Sequence, residues 1–190
     1  MDAMSLFDLV ERMGTVARAA SRKAAATVKL QPVHLQVLAY LARCNRYSNT
    51  PAAVTDYLAI TKGSASQSLL VLERKRLLEK VPDGRDRRVV HLHLTEQGHD
   101  VLSSTFPLTL WQQAASGLER QRLVLAARTL EQILRNVHHH HRYPTFGQCF
   151  SCRHFQAEGT GRFRCGLTRE ALSGAESQQI CHEHQFPRRP

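Results

Sequence analysis

The chain has 190 residues, with 26 lysines and arginines against 16 acids, for a formal charge of +10. That length allows one buried core plus an appendage, and the charge favours a polyanionic partner, nucleic acid or an anionic membrane surface. A secretory leader and a bilayer span are both excluded, because Met1–Met13 mixes acids with apolar residues and no apolar run is long enough to cross. The expectation is a cytoplasmic protein with no membrane contact, whose thiols stay reduced.

In chain order, Leu6, Leu9, Val10, Met13, Val16, Ala17 and Ala20 recur at helical spacing and predict an amphipathic first helix. Pro32 suits the first turn of a second helix, with Val33, Val37, Leu41 and Cys44 on one face. Asn45 to Pro51 is a turn-rich loop. A short helix over Ala52 to Ala59 and a longer one from about Gly63 to Leu78 follow. The pattern changes at Lys80: Pro82-Asp83-Gly84 is turn material, and Val90 to Leu94 alternates with period two. This predicts a β-hairpin among helices. Thr95 can cap the next helix, with Glu96 in its positive first turn. The helical pattern is interrupted near Pro107 and closes with a stripe of Leu123, Ala127, Leu130, Leu134 and Val137.

The predicted fold is mainly α, with a winged helix-turn-helix, a helical dimerisation layer drawn from both ends of the helical region, and a small irregular cysteine-rich segment. The divisions are 1–30 (dimerisation helix), 31–104 (winged helix), 105–141 (dimerisation helices) and 142–190 (metal-binding segment). Two short helices followed by a hairpin place the second helix in the major groove and the wing along the backbone or minor groove. Ala65, Leu69 and Leu72 lie at i, i+4 and i+7 and should face the core. Lys62, Ser64, Ser66 and Gln67 then point outward towards phosphates and base edges. Arg85, Arg87 and Arg88 carry the wing's charge. His91 and His93 share a strand face read as the wet side of the wing.

Several stretches resemble the multiple-antibiotic-resistance regulator (MarR) family over roughly Met4 to His138. They are Thr50 to Leu58, Ser64 to Gln67, Leu72 to Lys80, and above all Asp83-Gly84-Arg85-Asp86-Arg87-Arg88 leading into Leu94-Thr95-Glu96-Gln97-Gly98. The resemblance implies a homodimer that binds a pseudo-palindromic operator in double-stranded DNA and regulates transcription. It implies a wing arginine in the minor groove and an Asp86 that orients a neighbouring arginine. Two residues depart from the family pattern. Arg76 stands where a helix-ending glycine is usual, and Gln67 where arginine is common; Gln prefers adenine, Arg guanine.

Of five cysteines, four fall at Cys149-x2-Cys152-x12-Cys165-x15-Cys181. Reduced, clustered cysteines read as metal ligands, and a segment with few aliphatics needs such a staple. Structural zinc usually takes two Cys-x-x-Cys pairs. One pair followed by two isolated cysteines resembles high-potential iron–sulfur proteins, and Phe150, Phe155 and Phe163 would shield a cluster. A [4Fe-4S] cluster acting as redox or iron sensor is favoured, working by repositioning the dimer layer. Zinc, with a small-molecule ligand or thiol switch as the signal, is the alternative. His154, His182 and His184 are read as outer-shell or solvent residues, and Cys44 as a buried structural thiol. The chain offers no base–nucleophile pair or open metal position for an enzyme. A zinc-stapled adaptor that binds protein is a third class.

Overall fold

The computed structural model describes residues 3–84, 86–105, 108–141 and 144–187. Arg85 and Pro107 therefore lie outside the described residues. Among those described, the helical part comprises α1 (Ala3–Thr27), α2 (Pro32–Leu41), α3 (Pro51–Leu58), α4 (Lys62–Arg74), the hairpin β1 (Leu78–Pro82) and β2 (Val90–Leu94), α5 (Glu96–Thr105), α6 (Leu108–Ala115) and α7 (Arg120–His141). No helix among these residues is long and apolar enough to cross a membrane.

The core lies where α2, α3, α4 and the hairpin meet. Leu35, Leu38, Tyr40, Val54, Leu69, Leu72, Leu78 and Leu92 are buried there. Ala65, Leu69 and Leu72 face inward as their spacing requires, at 2% or less exposure. Each helix of the reading pair starts at a side-chain cap: Thr50 Oγ1 accepts from Ala53 N–H, and Thr61 Oγ1 accepts from Ser64 N–H.

α4 is shorter than the sequence pattern predicts, ending at Arg74 rather than near Leu78. Arg76 takes a left-handed φ of 56°. Its N–H donates to Glu73 O, and Leu77 N–H donates to Leu72 O. That is a Schellman turn, closed by burial of Leu72 and Leu77 together. Arginine thus keeps the turn that the family usually gives to glycine, at the cost of a Cβ in an unfavourable region. Arg76→Gly should raise stability by about 1 kcal/mol, seen as a higher urea midpoint with an unchanged slope.

The hairpin begins two residues earlier than the sequence suggested. It is antiparallel, in the register Leu78↔Leu94 through Pro82↔Val90. Thr95 Oγ1 accepts from Gly98 N–H and donates to Arg76 O, so one hydroxyl both caps α5 and ties it to the end of α4.

The apolar stripes of α1 and α7 find no cover within one chain. Val10, Met13, Val16, Leu123, Leu130, Leu134 and Val137 are each at least 37% exposed.

The C-terminal segment is built from short pieces: β3 (Gly147–Gln148), a single 3₁₀ turn over Cys149–Ser151, β4 (Phe155–Ala157), β5 (Phe163–Cys165), β6 (Ala171–Leu172), α8 (Gly174–Ser177) and β7 (Ile180–Cys181). β3 pairs with β7, and β4-β5-β6 form a second antiparallel sheet. The buried residues of its small core are Cys149, Leu172 and Cys181.

Candidate nucleic-acid interface and cysteine site

Lys62, Ser64, Ser66 and Gln67 are exposed along the first turns of α4, while Ala65 and Ser68 between them are buried. The row therefore faces solvent on a helix whose other side is fixed in the core. The wing tip is a braced turn. Asp83 Oδ1 accepts from Asp86 N–H at 2.8 Å. The Asp86 carboxylate holds Arg88 by Nε at 2.9 Å and Nη2 at 2.8 Å, and also accepts Arg88 N–H. These bonds from Arg88 keep the Asp86 carboxyl below the usual carboxylate range. Arg87 stands exposed beside it.

The root of the wing holds a contact that sequence reading missed. His91 is half-buried, with Nδ1 2.6 Å from Asn49 Oδ1 and Nε2 3.1 Å from Asp83 Oδ2. It is not on the wet side of the strand. Leu92 N–H also donates to Asn49 O at 2.7 Å, so the α2–α3 loop is stitched to β2 by backbone and side chain together.

All four C-terminal cysteines line one cavity, with Tyr47, His154, Phe155, Leu167, Leu172 and others. Several of these sulfurs receive N–H donors. Asn45 Nδ2 donates to Cys149 Sγ at 3.2 Å, and Gln185 N–H to Cys152 Sγ at 3.4 Å. Cys149 and Cys181 lie close enough to share a proton. The bond from Cys149 pulls the Cys181 thiol below its usual range, helped by Asn45, the Glu183 backbone and Ser48, and Cys149 is pushed up in turn. His154 lines the same cavity, and its Nε2 is sealed from solvent with no protein partner. A cysteine-lined cavity with amide donors on its sulfurs suits a metal centre carrying negative charge. Among the described residues, however, no three Cys, His, Asp or Glu side chains converge tightly enough to hold a single ion as they stand.

The cysteine segment is seated on the α2–α3 loop and α3, and it also meets α7. Ile180 makes an isolated bridge with Cys44. Ile180 N–H donates to Arg43 O, and Asn45 N–H to Ile180 O. His182 N–H donates to Ser48 Oγ, and His182 Nε2 lies 2.9 Å from Asp56 Oδ2 on α3. Arg46 reaches Glu176, Glu170 and the carbonyl of Ala171. Phe146 stacks edge-on against Tyr57 and Tyr40. On α7, the Arg135 guanidinium lies over the Phe186 ring at 4.4 Å. Cys44 is buried in the helical core, outside the cavity, and burial pushes its thiol up to about 12.

The profile of the MarR family matches residues 28–89, which covers the reading pair and most of the wing. The fold is similar to S. aureus MepR in a DNA complex, with 20% identity, TM-score 0.57, and 72% of this chain and 96% of that one covered. It is similar to Streptococcus pneumoniae FabT in complex with DNA, at 22% identity and TM-score 0.57, with 72% and 97% covered. It is also similar to CouR from Rhodococcus jostii RHA1 bound to p-coumaroyl-CoA, at 19% identity and TM-score 0.59, with 70% and 95% covered. No curated protein matches the chain. The helical part thus has the winged-helix fold of MarR-type proteins.

Proposed function

We propose that this protein is a homodimeric, MarR-like regulator of transcription that binds double-stranded DNA and carries a metal centre on Cys149, Cys152, Cys165 and Cys181. The observation that carries the DNA-binding reading is the pairing of two surfaces on one rigid head. One is the exposed row Lys62, Ser64, Ser66 and Gln67 on a core-anchored helix; the other is an arginine wing braced by Asp86. The DNA complexes of MepR and FabT, which share the fold, support it. The uncovered stripes of α1 and α7 support a second copy as the partner, and two heads are what a pseudo-palindrome needs.

A [4Fe-4S] cluster is the favoured occupant of the cysteine cavity. The spacing of one Cys-x-x-Cys pair followed by two isolated cysteines supports it, and a cluster in this cavity would have amide donors such as Asn45 to tune it. It would supply one-electron chemistry and sensitivity to iron supply, which makes redox or iron sensing the working signal.

The test has two parts. Protein purified without oxygen should be brown and carry about four irons and four sulfides per chain. Colourless protein with about one zinc would make the site a structural staple instead. For DNA, a duplex selected by the protein from a randomised pool serves as probe. The double variant Arg87→Ala, Arg88→Ala should bind it about a hundredfold more weakly. The log–log salt slope should fall by about 0.9 for each phosphate that is no longer neutralised, with dimerisation intact. Unchanged affinity and slope would remove the wing from the interface.

A further inference from the structure

We infer that the metal centre reports to the DNA-reading wing of its own protomer through the loop Asn45–Asn49, and that Asn45 and His91 are the residues at the two ends of this link. The inference rests on the metal-centre reading above and adds the route by which it acts.

The loop is polar, and three of its five residues are buried. Asn45, Ser48 and Asn49 are 1%, 0% and 8% exposed. Buried polar side chains of this kind must find partners, and these find them on both sides. At one end, Asn45 Nδ2 donates to the Cys149 sulfur. Asn45 Oδ1 accepts from Tyr47 N–H at 3.1 Å and from the Ser48 hydroxyl at 2.7 Å. Ser48 Oγ in turn accepts the N–H of His182, the neighbour of Cys181, and Ser48 O accepts the Tyr40 hydroxyl at 2.8 Å. At the other end, Asn49 takes Leu92 N–H on its carbonyl and faces His91 with its side chain. His91 reaches Asp83, whose other oxygen shapes the turn that presents Asp86 and Arg88.

The sulfur is the group whose state changes. A metal-bound thiolate is a charged acceptor that holds the Asn45 amide firmly, whereas a free thiol accepts weakly. A ligand shifts an equilibrium only through such a difference between two states. Losing the metal therefore loosens Asn45, and the loop that Asn45 orders is the one that anchors β2. The route is short and lies within one chain. The segment also meets α7 at Arg135, which lies over the Phe186 ring; the loop is a separate route from the cysteines to the wing.

Hydrogen exchange of the full-length protein, reconstituted with iron and sulfide and then stripped by a chelator, tests the link. Stripping should speed exchange across Leu78–Leu94 about tenfold, the Leu92 amide included, and leave α1 and α7 unchanged. His91→Phe should show the faster wing already in the loaded protein, with unchanged visible absorption, and should no longer respond to stripping. Asn45→Ala should likewise speed wing exchange in the loaded protein and abolish the response to stripping, with its absorption shifted because Asn45 donates to the Cys149 sulfur; if it fails to fold, His91→Phe, which changes a half-buried residue, still decides. A loaded protein whose wing exchange ignores stripping, or a His91→Phe wing that still responds in full, overturns the link. Protein that takes up no metal fails the earlier reading instead, and the iron assay shows this before any exchange is measured.

Discussion

Replacing Cys149 with alanine should remove the metal and the fold of the C-terminal segment together, while the winged helix stays intact. The segment's buried core is Cys149, Leu172 and Cys181, with Tyr47, Phe155, Phe163 and Cys165 half-buried around it. Its strands are two or three residues long. Elements this short do not stand alone. When four thiolates hold a metal, binding free energy is folding free energy, on the order of 10 kcal/mol for four-ligand sites. Iron should fall from about four per chain to near zero, and limited proteolysis should cut between residues 144 and 187 while the helical part survives. Cys44→Ala is the control. It empties space in the helical core and costs about 1 kcal/mol, but should leave the iron content unchanged. A Cys149→Ala protein that keeps its iron would remove that residue from the ligand set.

The second large effect is expected at Gly98. A Cβ there would lie 2.0 Å from the carbonyl oxygen of Leu77, and backbone has little freedom to yield. Leu77 is held on three sides: its N–H closes the Schellman turn, its carbonyl accepts Thr95 N–H, and its side chain is buried. Gly98→Ala should therefore destabilise the protein by about 3 kcal/mol or more, lowering Tm by roughly 6–12 °C. Gly63→Ala, where the added Cβ meets nothing closer than 3.9 Å, should be neutral or slightly stabilising. Equal melting curves for the two variants would mean that α5 can move away from Leu77 at little cost. The same clash explains the Leu-Thr-x-x-Gly pattern: the threonine draws α5 onto the end of α4, and only glycine fits the approach.

The parts legible in the sequence were those with local causes. The hairpin showed in its period-two run and turn residues, the inward side of α4 in its spacing, and the cap at Thr95 in residue type. The grouping of four cysteines was legible from spacing, and their side chains do line one cavity. What could not be read was where that group sits. Asn45–Asn49 looked like an ordinary turn-rich loop, because its partners lie at positions 91–92, 149 and 180–182. His91 read as a solvent residue and His182 as an outer-shell or solvent one, yet they bind Asn49 and Asp56 across long stretches of chain. A buried amide facing a sulfur leaves no periodic trace. The hint available was an Asn-Arg-Tyr-Ser-Asn run with more hydrogen-bonding capacity than a short turn uses by itself.

The bridge between Cys44 and Ile180 also bears on the order of assembly. The contacts that seat the segment join residues 104 apart at Asn45–Cys149 and 134 apart at Ser48–His182. Closing loops that long is slow, whereas neighbouring helices and a hairpin close quickly. During synthesis the helices and wing are therefore complete well before Ile180 and Cys181 leave the ribosome. The newborn chain passes through a stage in which the winged helix is formed and the cysteine segment is not.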